Sequence, residues 1–276
     1  MTNRILLAAL MLAACSKSDP TLTYKFEQVD KKLDALNKKV DQLVGQGGAR
    51  PNRPQPPPQA AADPNAVYSV NIADAPVKGP ATAKVTIVEA AEFACPFCRM
   101  AQPTLDRIAK EYPNDVRFVF KHFVVHPQVA TTPALATCAA QKQGKFWEME
   151  EAIWGSAWEM TDRPRMKDQK LLGQENMEAL AKTLNLNMDK FKSDMAGQPC
   201  KDLIAQQQQH MSQVGVDGTP GFFINGRPLS GAQPFENFKS VIDEEIKKAD
   251  EAIKKGTKAE EYYQKAVVEA GKKARG

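Results

Sequence analysis

Apolar residues near the start of the chain recur at alternating spacings of four and three, with mostly polar residues between them. This is the heptad pattern of a coiled coil, sustained for about three repeats. A single amphipathic helix would show the same pattern, but a helix of this length is not stable alone in water. We therefore predict a coiled-coil helix over residues 20–46 that joins the chain in a dimer or trimer. Its apolar positions are Leu22, Phe26, Val29, Leu33, Leu36, Val40 and Leu43.

The pattern then changes to a spacer and a series of strands. Residues 47–66 are rich in Gly, Pro and Gln, a composition that forms an extended linker and no core. Lys84 to Ala91 is apolar on both faces, as a strand covered by helices on both sides should be. Val116 to Val125 predicts a second buried strand, and Tyr68 to Ile72 a short strand before them. The Asn225-Gly226 dipeptide between two apolar runs predicts a β-hairpin.

Helices are predicted between and after these strands. The first spans Pro96 to Tyr112, and Pro103 within it should kink it. The long helical stretch after the second strand contains all three tryptophans, so it needs a core of its own. A helix from Pro234 to Lys255 and a charged helix over residues 256–276 follow. This order predicts an α/β fold with an inserted helical subdomain at about residues 127–197.

The extreme N-terminus indicates the compartment. Arg4 precedes an apolar run that ends at Ala14 and is too short to span a bilayer, so residues 1–14 are predicted to be an export signal. Leu12-Ala13-Ala14-Cys15 resembles the lipobox of bacterial lipoproteins, in which the cysteine carries the lipid. A secretory signal with a chance cysteine is the alternative. We expect a lipid-anchored protein on the periplasmic face of a membrane, and Ser16 after the cysteine suits the outer membrane.

Charge and cysteine content narrow the function classes. The chain has 37 basic and 33 acidic residues without a dominant block, which gives no electrostatic reason to expect nucleic acid as a partner. Five cysteines are present, and lipidation of Cys15 leaves an even number. Cysteines of an exported chain meet an oxidising compartment, where they form structural or catalytic disulfides.

Cys95-Pro96-Phe97-Cys98 directly follows a predicted strand and begins a predicted helix. Free N–H groups and the helix dipole stabilise a thiolate at this position, so Cys95 is the expected nucleophile. Cys98, one turn later, is placed to resolve a mixed disulfide. The alternative is half of a zinc site. Because Cys138 and Cys200 are single and no histidine lies at ligand spacing, we expect neither a metal nor another cofactor.

Three motifs in order resemble the DsbA-like thioredoxin-fold oxidoreductases, in the branch that includes periplasmic disulfide interchange lipoproteins. The resemblance covers Val67 to Ala249, within a thioredoxin domain predicted over residues 67–255. It implies a thiol-disulfide oxidoreductase that exchanges disulfides with exported proteins, as an oxidase or isomerase, and that has a membrane redox partner. The motifs are Lys84–Glu89 leading into Phe93–Cys98, Gln143–Glu148, and Gly218–Gly226.

The resemblance also implies roles for single residues. The proline that matches Pro220 is cis and faces the cysteine pair, and Thr219 before it offers backbone hydrogen bonds to an extended substrate. Glu89 matches an acidic residue beneath the disulfide that exchanges a proton with Cys98. A surface position for Glu89, or Glu92 in its role, is the alternative.

Two further expectations follow from the family pattern. Phe97 replaces a histidine that makes the best-known members strongly oxidising, so a less oxidising pair is expected here. Members of this branch often join cysteines placed like Cys138 and Cys200, although both could be free buried thiols.

The rival function is a non-catalytic anchored adaptor with a structural disulfide. The three histidines, His122, His126 and His210, are expected to be structural or surface residues.

Overall fold

The computed structural model describes residues 66–161 and 163–274, together with six residues nearer the N-terminus. These six, Gln28, Lys31, Lys32, Asp34, Ala35 and Lys38, are helical. The predicted export signal, Cys15, the apolar positions from Leu22 to Leu43 and the linker up to residue 65 lie outside the described residues.

A five-stranded mixed sheet forms the centre of the domain. Its strand order is β1-β3-β2-β6-β7, in which β2 and β3 are parallel and the other neighbours are antiparallel. The central strand β2 is buried along its whole length, as its apolar sequence on both faces predicts. The strands are β1 Val77–Lys78, β2 Val85–Ala91, β3 Val116–His122, β6 Gly221–Ile224 and β7 Arg227–Ser230.

Helices cover both faces of this sheet. One face packs against α1 (Pro96–Glu111) and α7 (Phe235–Lys254), with Ile87, Ile108 and Phe238 fully buried between them. The opposite face packs against α6 (Gln198–Gln213). Burial of apolar side chains on both faces is the main favourable contribution to this fold.

The segment between β3 and α6 forms a second core. Its helices enclose a cluster that includes Trp154 and Trp158. The predicted all-helical insert also contains a short antiparallel ribbon of β4 (Trp158–Glu159) and β5 (Arg165–Met166). The helices are α2 Pro127–Gln141, α3 Phe146–Ala157, α4 Gln174–Thr183 and α5 Met188–Ala196, with a 3-10 turn at Gln169–Leu172.

Two predicted strands differ from the structure for a physical reason. The strand predicted to reach Val125 ends at His122, because side-chain oxygens of Gln208 and Glu92 accept the N–H groups of Val124 and Val125. Among the described residues, Tyr68 to Ile72 forms one bridge, between Tyr68 and Lys272, and no ladder. Its N–H groups go to different partners, because the Gly226 carbonyl oxygen accepts that of Tyr68 and the Lys272 carbonyl oxygen accepts that of Ser69.

The last part of the chain also differs from the single charged helix predicted there. After α8 (Ala259–Tyr263) the backbone continues as a π-helical segment over Gln264–Glu269. Tyr263 is buried and donates a hydrogen bond from its hydroxyl to the Val70 carbonyl oxygen at 2.8 Å. This segment therefore packs on the domain and has an apolar side. Among the described residues, no helix is both long enough and apolar enough to cross a lipid bilayer.

Candidate active site

Cys95 occupies the N-cap of α1, immediately after the loop that leaves β2. Its Sγ accepts the backbone N–H of Cys98 at 3.3 Å, and Pro96 takes the first helical position, where no N–H is needed. A side chain here meets the free N–H groups and the positive end of the helix dipole. The sequence placed the first cysteine of the pair at this helix start for the same reason.

This environment lowers the pKa of the Cys95 thiol to about 6. The hydrogen bond from the Cys98 side chain contributes most, and the Thr219 side chain and the backbone N–H groups of Cys98 and Phe97 add to it. Burial acts in the opposite direction but does not outweigh them. A large fraction of Cys95 is therefore thiolate at neutral pH, the form that attacks a disulfide.

Cys98 has the opposite character. Its side chain is completely buried one turn into α1, and burial raises its pKa well above the usual value. The charges of Cys95 and Glu89 raise it further. Both cysteines are free thiols in this structure. The pair thus combines an activated thiol with a neutral one held directly behind it.

The Thr219-Pro220 segment faces the cysteine pair at the same end of the sheet, because the start of β6 pairs with the end of β2. The peptide bond between these residues is cis. The Thr219 carbonyl oxygen accepts a hydrogen bond from the Cys95 thiol at 3.3 Å, and the Pro220 carbonyl oxygen accepts the N–H of Gly231 at 2.8 Å. The second contact holds this segment against the hairpin of β6 and β7.

Phe97 is the most exposed large apolar side chain of the active-site helix, with 56% of its surface accessible. Met100, one turn further, is 39% exposed.

The loop before Cys95 is fixed on its inner side, because Phe93 stacks on Phe120 and its carbonyl oxygen accepts the indole N–H of Trp158 at 3.0 Å. The inserted subdomain therefore supports the loop that carries the nucleophile.

The two acidic residues considered from the sequence occupy different environments. Glu89 is buried on the α1 face of β2, and burial, followed by the charges of Glu150 and Cys95, raises its pKa well above normal. Glu92 is also buried, but its carboxylate accepts the backbone N–H groups of Val125 and His126 and pairs with the His126 ring. Glu92 is thus committed to holding the loop after β3.

The structure joins Cys138 of α2 to Cys200 of α6 in a disulfide, with 5.8 Å between their Cα atoms. Both are buried, and the bond ties α2 of the inserted subdomain to α6, which packs on the sheet. His122 is buried, and burial lowers its pKa to about 3, so it is neutral. No group of three or more potential metal-ligating side chains occurs in the part of the chain that the structure describes.

Glu150 is a buried acidic residue near this site that the sequence analysis missed. It lies on α3 and accepts the indole N–H of Trp154 at 2.6 Å. A sequence signal existed: Glu150 falls four residues after Phe146 and four before Trp154, which places it on the apolar face of the helix.

Comparison with known proteins agrees with this architecture. A family model described as Thioredoxin matches residues 73–244, which is more than half of the chain. The chain therefore belongs to the thioredoxin family.

Solved structures show which form of the thioredoxin fold this is. BdbD of Bacillus subtilis matches with a TM-score of 0.58 at 20% identity, covering 66% of this chain and 98% of that chain. Alpha-DsbA1 of Wolbachia pipientis matches with a TM-score of 0.56 at 19% identity, covering 67% and 96%. A thioredoxin-like oxidoreductase of Silicibacter pomeroyi gives 0.54 at 24% identity, covering 63% and 94%. The predicted DsbA-like thioredoxin fold is confirmed.

Curated relatives share only this domain-sized region. The Na(+)/H(+) antiporter NhaA 3 of Salinispora tropica is 33% identical over 169 residues, which is 60% of this chain and 24% of that protein. The antiporter NhaA of Herminiimonas arsenicoxydans is 26% identical over 185 residues, 67% of this chain and 26% of that protein. The chain spans about a quarter of the length of these relatives.

Proposed function

We propose that this protein is an enzyme that exchanges disulfides with exported proteins, with Cys95 as the nucleophile and Cys98 as the resolving thiol. One observation carries the proposal. Cys95 Sγ lies at the N-cap of α1, with its pKa lowered to about 6, and at hydrogen-bond distance from the carbonyl oxygen that precedes Pro220. An activated thiol beside the partly exposed Thr219 suits attack on, or by, an extended client chain.

In the oxidising direction, a client thiolate attacks Cys95 Sγ of the Cys95–Cys98 disulfide. A client–Cys95 bond forms, and Cys98 leaves as a thiolate that takes a proton. A second client thiolate then attacks the client sulfur, forms the client disulfide and releases Cys95 as a thiolate. The client loses two electrons and the cysteine pair gains them. Isomerisation uses the same steps, with the reduced pair attacking a wrong client disulfide.

The surrounding residues have separate roles in this proposal. Thr219 and Pro220 bind the client backbone, and the exposed Phe97 ring contacts its side chains. Glu89 exchanges the proton of Cys98, which its burial and its effect on the Cys98 pKa support. The Cys138–Cys200 disulfide is structural, since both cysteines are buried and the bond joins α2 to α6, neither of which carries the cysteine pair.

Location and partners are also proposals. Cys15 carries a lipid that anchors the protein to the periplasmic face of a membrane, the outer one on the basis of Ser16. Residues 20–46 assemble the chain into a dimer or trimer, and a membrane redox partner resets the cysteine pair. Several active sites facing one space favour repeated exchange on one client, because linkage raises the effective concentration of thiol. We therefore favour isomerase activity over simple oxidation.

Trapping of mixed disulfides tests the proposal. In cells that express Cys98→Ser, the client–Cys95 bond persists because no resolving thiol attacks it, so client complexes appear on non-reducing gels and vanish with reductant. Cys95→Ser forms none. Complexes with Cys95→Ser instead would reverse the two assignments. Complexes with neither variant, combined with no turnover of scrambled client disulfides, would favour the non-catalytic adaptor.

A further inference from the structure

A cavity of about 330 Å³ lies between the sheet, α1 and α3. Its inner part is lined by two buried carboxyl groups, Glu89 of β2 and Glu150 of α3. The exposed residues Lys78, Asp106 and Glu151 line its other part, so the cavity reaches from the protein surface to the buried carboxyl groups.

Four polar groups that line this cavity have buried atoms without a partner. These atoms are Glu89 Oε1, Arg99 Nε, Gln102 Nε2 and Trp147 Nε1, and none has a hydrogen bond of normal geometry to a described residue, although Gln102 lies near enough to Glu89 to lower the pKa of its carboxyl group. An unpaired buried polar atom costs free energy, whereas a polar cavity of this size is large enough to admit water. Three N–H donors and a carboxyl acceptor make this a cavity suited to ordered water.

Glu150 is 8% exposed, and burial raises its pKa to about 7. The Trp154 hydrogen bond and Lys78 of β1 act against this increase, while Asp106 of α1 and the neighbouring Glu151 add to it. Arg99 of α1 also faces Glu150 and feels its charge. On β2, Glu89 has its own pKa raised by the charge of Glu150, so the two carboxyl groups titrate as a coupled pair.

We propose that Glu150 is a positioning residue that works with Glu89 as a two-carboxyl relay, carrying protons between solvent and Cys98 through the water in this cavity. The inference rests on the proposed function and extends it to a residue on the inserted subdomain. Glu89 exchanges the proton of Cys98, whose pKa its charge raises, and Glu150 acts through Glu89.

Protons balance at each step of the relay. When a client thiolate breaks the Cys95–Cys98 bond, Cys98 leaves as a thiolate and takes the proton of the Glu89 carboxyl group. Glu150 then passes its proton through water to the Glu89 carboxylate and regains one from solvent at the mouth of the cavity. When Cys98 later attacks a mixed disulfide at Cys95, its proton travels outward by the same groups in reverse.

The competing explanation is that Glu150 only accepts the Trp154 hydrogen bond and holds α3 in place. Glu150→Gln separates these roles, because an amide oxygen can accept the same indole N–H but cannot carry the proton. Glu148→Gln is the matched control: it removes the same charge from the same helix, and Glu148 is 45% exposed at its side chain and does not line the cavity.

The measurement is a stopped-flow reaction of the reduced protein with dithiobis(nitrobenzoate). The first release of coloured thiolate reports attack by Cys95, and the second reports the intramolecular attack of Cys98 on the mixed disulfide. We expect the second rate constant of the wild-type protein to rise with pH through an inflection near pH 7. In Glu150→Gln the inflection near pH 7 is lost, because the group that titrates there is absent. The remaining rise of the second rate constant moves to lower pH, because the charge of Glu150 no longer raises the pKa of Glu89.

The first phase should change less than about two-fold in Glu150→Gln, and Glu148→Gln should match the wild-type protein in both phases. Superimposable second-phase profiles for wild type and Glu150→Gln would overturn the relay. A wild-type second phase without an inflection near pH 7 would also overturn it, even if Glu150→Gln failed to fold. Failure of the proposed function looks different: a first phase no faster than that of an ordinary cysteine, and no client trapped by Cys98→Ser.

Discussion

In its protonated form, the Cys95 thiol donates a hydrogen bond to the carbonyl oxygen of Thr219 at 3.3 Å, although 124 residues separate the two in sequence. Cys95 begins α1 after the central strand β2. Thr219 precedes β6, which pairs with β2 on the side away from β3. The sheet therefore brings together a reactive sulfur and a backbone acceptor that no local pattern connects. A client chain lying beside Pro220 would meet both at once.

The low pKa of Cys95 predicts its alkylation behaviour. Its rate of reaction with iodoacetamide should rise with pH and reach half its maximum near pH 6, because the thiolate is the reacting form. At pH 6, a much larger fraction of Cys95 than of a thiol with a pKa of 9.0 is thiolate. The Cys95 thiolate is also the weaker nucleophile, because its pKa is lower, so we expect it to react about 20-fold faster.

Mass spectrometry after timed quenching measures this reaction at each pH. Cys95→Ser serves as the control, since the buried Cys98 with its raised pKa should react far more slowly. A midpoint near pH 9 in the wild-type protein would contradict the activation of Cys95 by the helix end.

His126 should report the charge of Cys95. Its pKa is raised mainly by the hydrogen bond and charge of Glu92, and further by Cys95. Cys95→Ser should therefore lower the His126 pKa, and Glu92→Gln should lower it more. Because the folded-state pKa is the higher one, the stabilisation from this pair is fully present below the unfolded pKa and is lost as pH rises through the folded pKa.

An NMR titration of the imidazole resonances in the reduced protein measures both shifts. His210, which lies on α6 and donates its Nε2–H to the Ser69 carbonyl oxygen, provides an internal control. Identical His126 titration curves in the wild type and Cys95→Ser would show that the two groups do not interact.

The Cys138–Cys200 disulfide should stabilise the domain without taking part in exchange. It closes a sequence separation of 62 residues, for which loss of loop-closure entropy in the unfolded chain gives about 4 kcal/mol. The Cys138→Ala, Cys200→Ala double variant should lose about that much free energy of unfolding in urea. The alkylation rate of Cys95 should stay unchanged, and a large change in it would place this disulfide in the redox pathway.

The position of Cys95 at a helix start was predictable because it depends on neighbouring residues in the sequence. The helix that begins at Pro96 ends within one residue of its predicted end, and the thiolate-stabilising N-cap at Cys95 depends only on that helix. The early end of β3 was not predictable. It depends on Gln208 and Glu92, two side chains whose arrival beside Val124 and Val125 is decided by tertiary packing.

The two buried acidic residues also differ in how far the sequence predicted them. The family resemblance predicted an acidic residue beneath the cysteine pair at Glu89, and the structure buries Glu89 near enough to both cysteines for their charges to interact. Its coupling to Glu150 requires the inserted helix α3 to pack against α1 and the sheet, and no spacing in the sequence expresses that contact. Glu150 was visible only as a charged residue on an apolar helix face.

Lipid anchoring is tested by Cys15→Ala. This variant should move from the membrane fraction to the soluble envelope fraction and keep its thiol-disulfide exchange activity, because the catalytic residues lie far along the chain. Cys95→Ser should remain with the membrane and lose activity. If Cys15→Ala stayed with the membrane, another part of the chain would be its anchor.

Assembly through the N-terminal helix is tested by deletion of residues 20–46. The lipid-free protein should be a dimer or trimer by light scattering at tens of micromolar, and the deletion variant a monomer with more oxidase than isomerase character. The comparison uses scrambled and reduced forms of one client protein. A full-length monomer at this concentration would remove the reason to favour isomerisation.

The final residues of the described chain hold the start of the domain through hydrogen bonds, which affects how the domain would respond to a pulling force. Ser69 donates its backbone N–H to the Lys272 carbonyl oxygen at 2.8 Å, and Lys272 donates to the Val67 carbonyl oxygen at 2.9 Å. The Ser69 hydroxyl adds a bond to the Val268 carbonyl oxygen at 2.6 Å. A pull on Ala66 along the chain would load these three bonds together, in shear. Tension on the leading chain is therefore shared between the segment after α8 and the turn between β6 and β7, where the Gly226 carbonyl oxygen accepts the Tyr68 N–H at 2.8 Å.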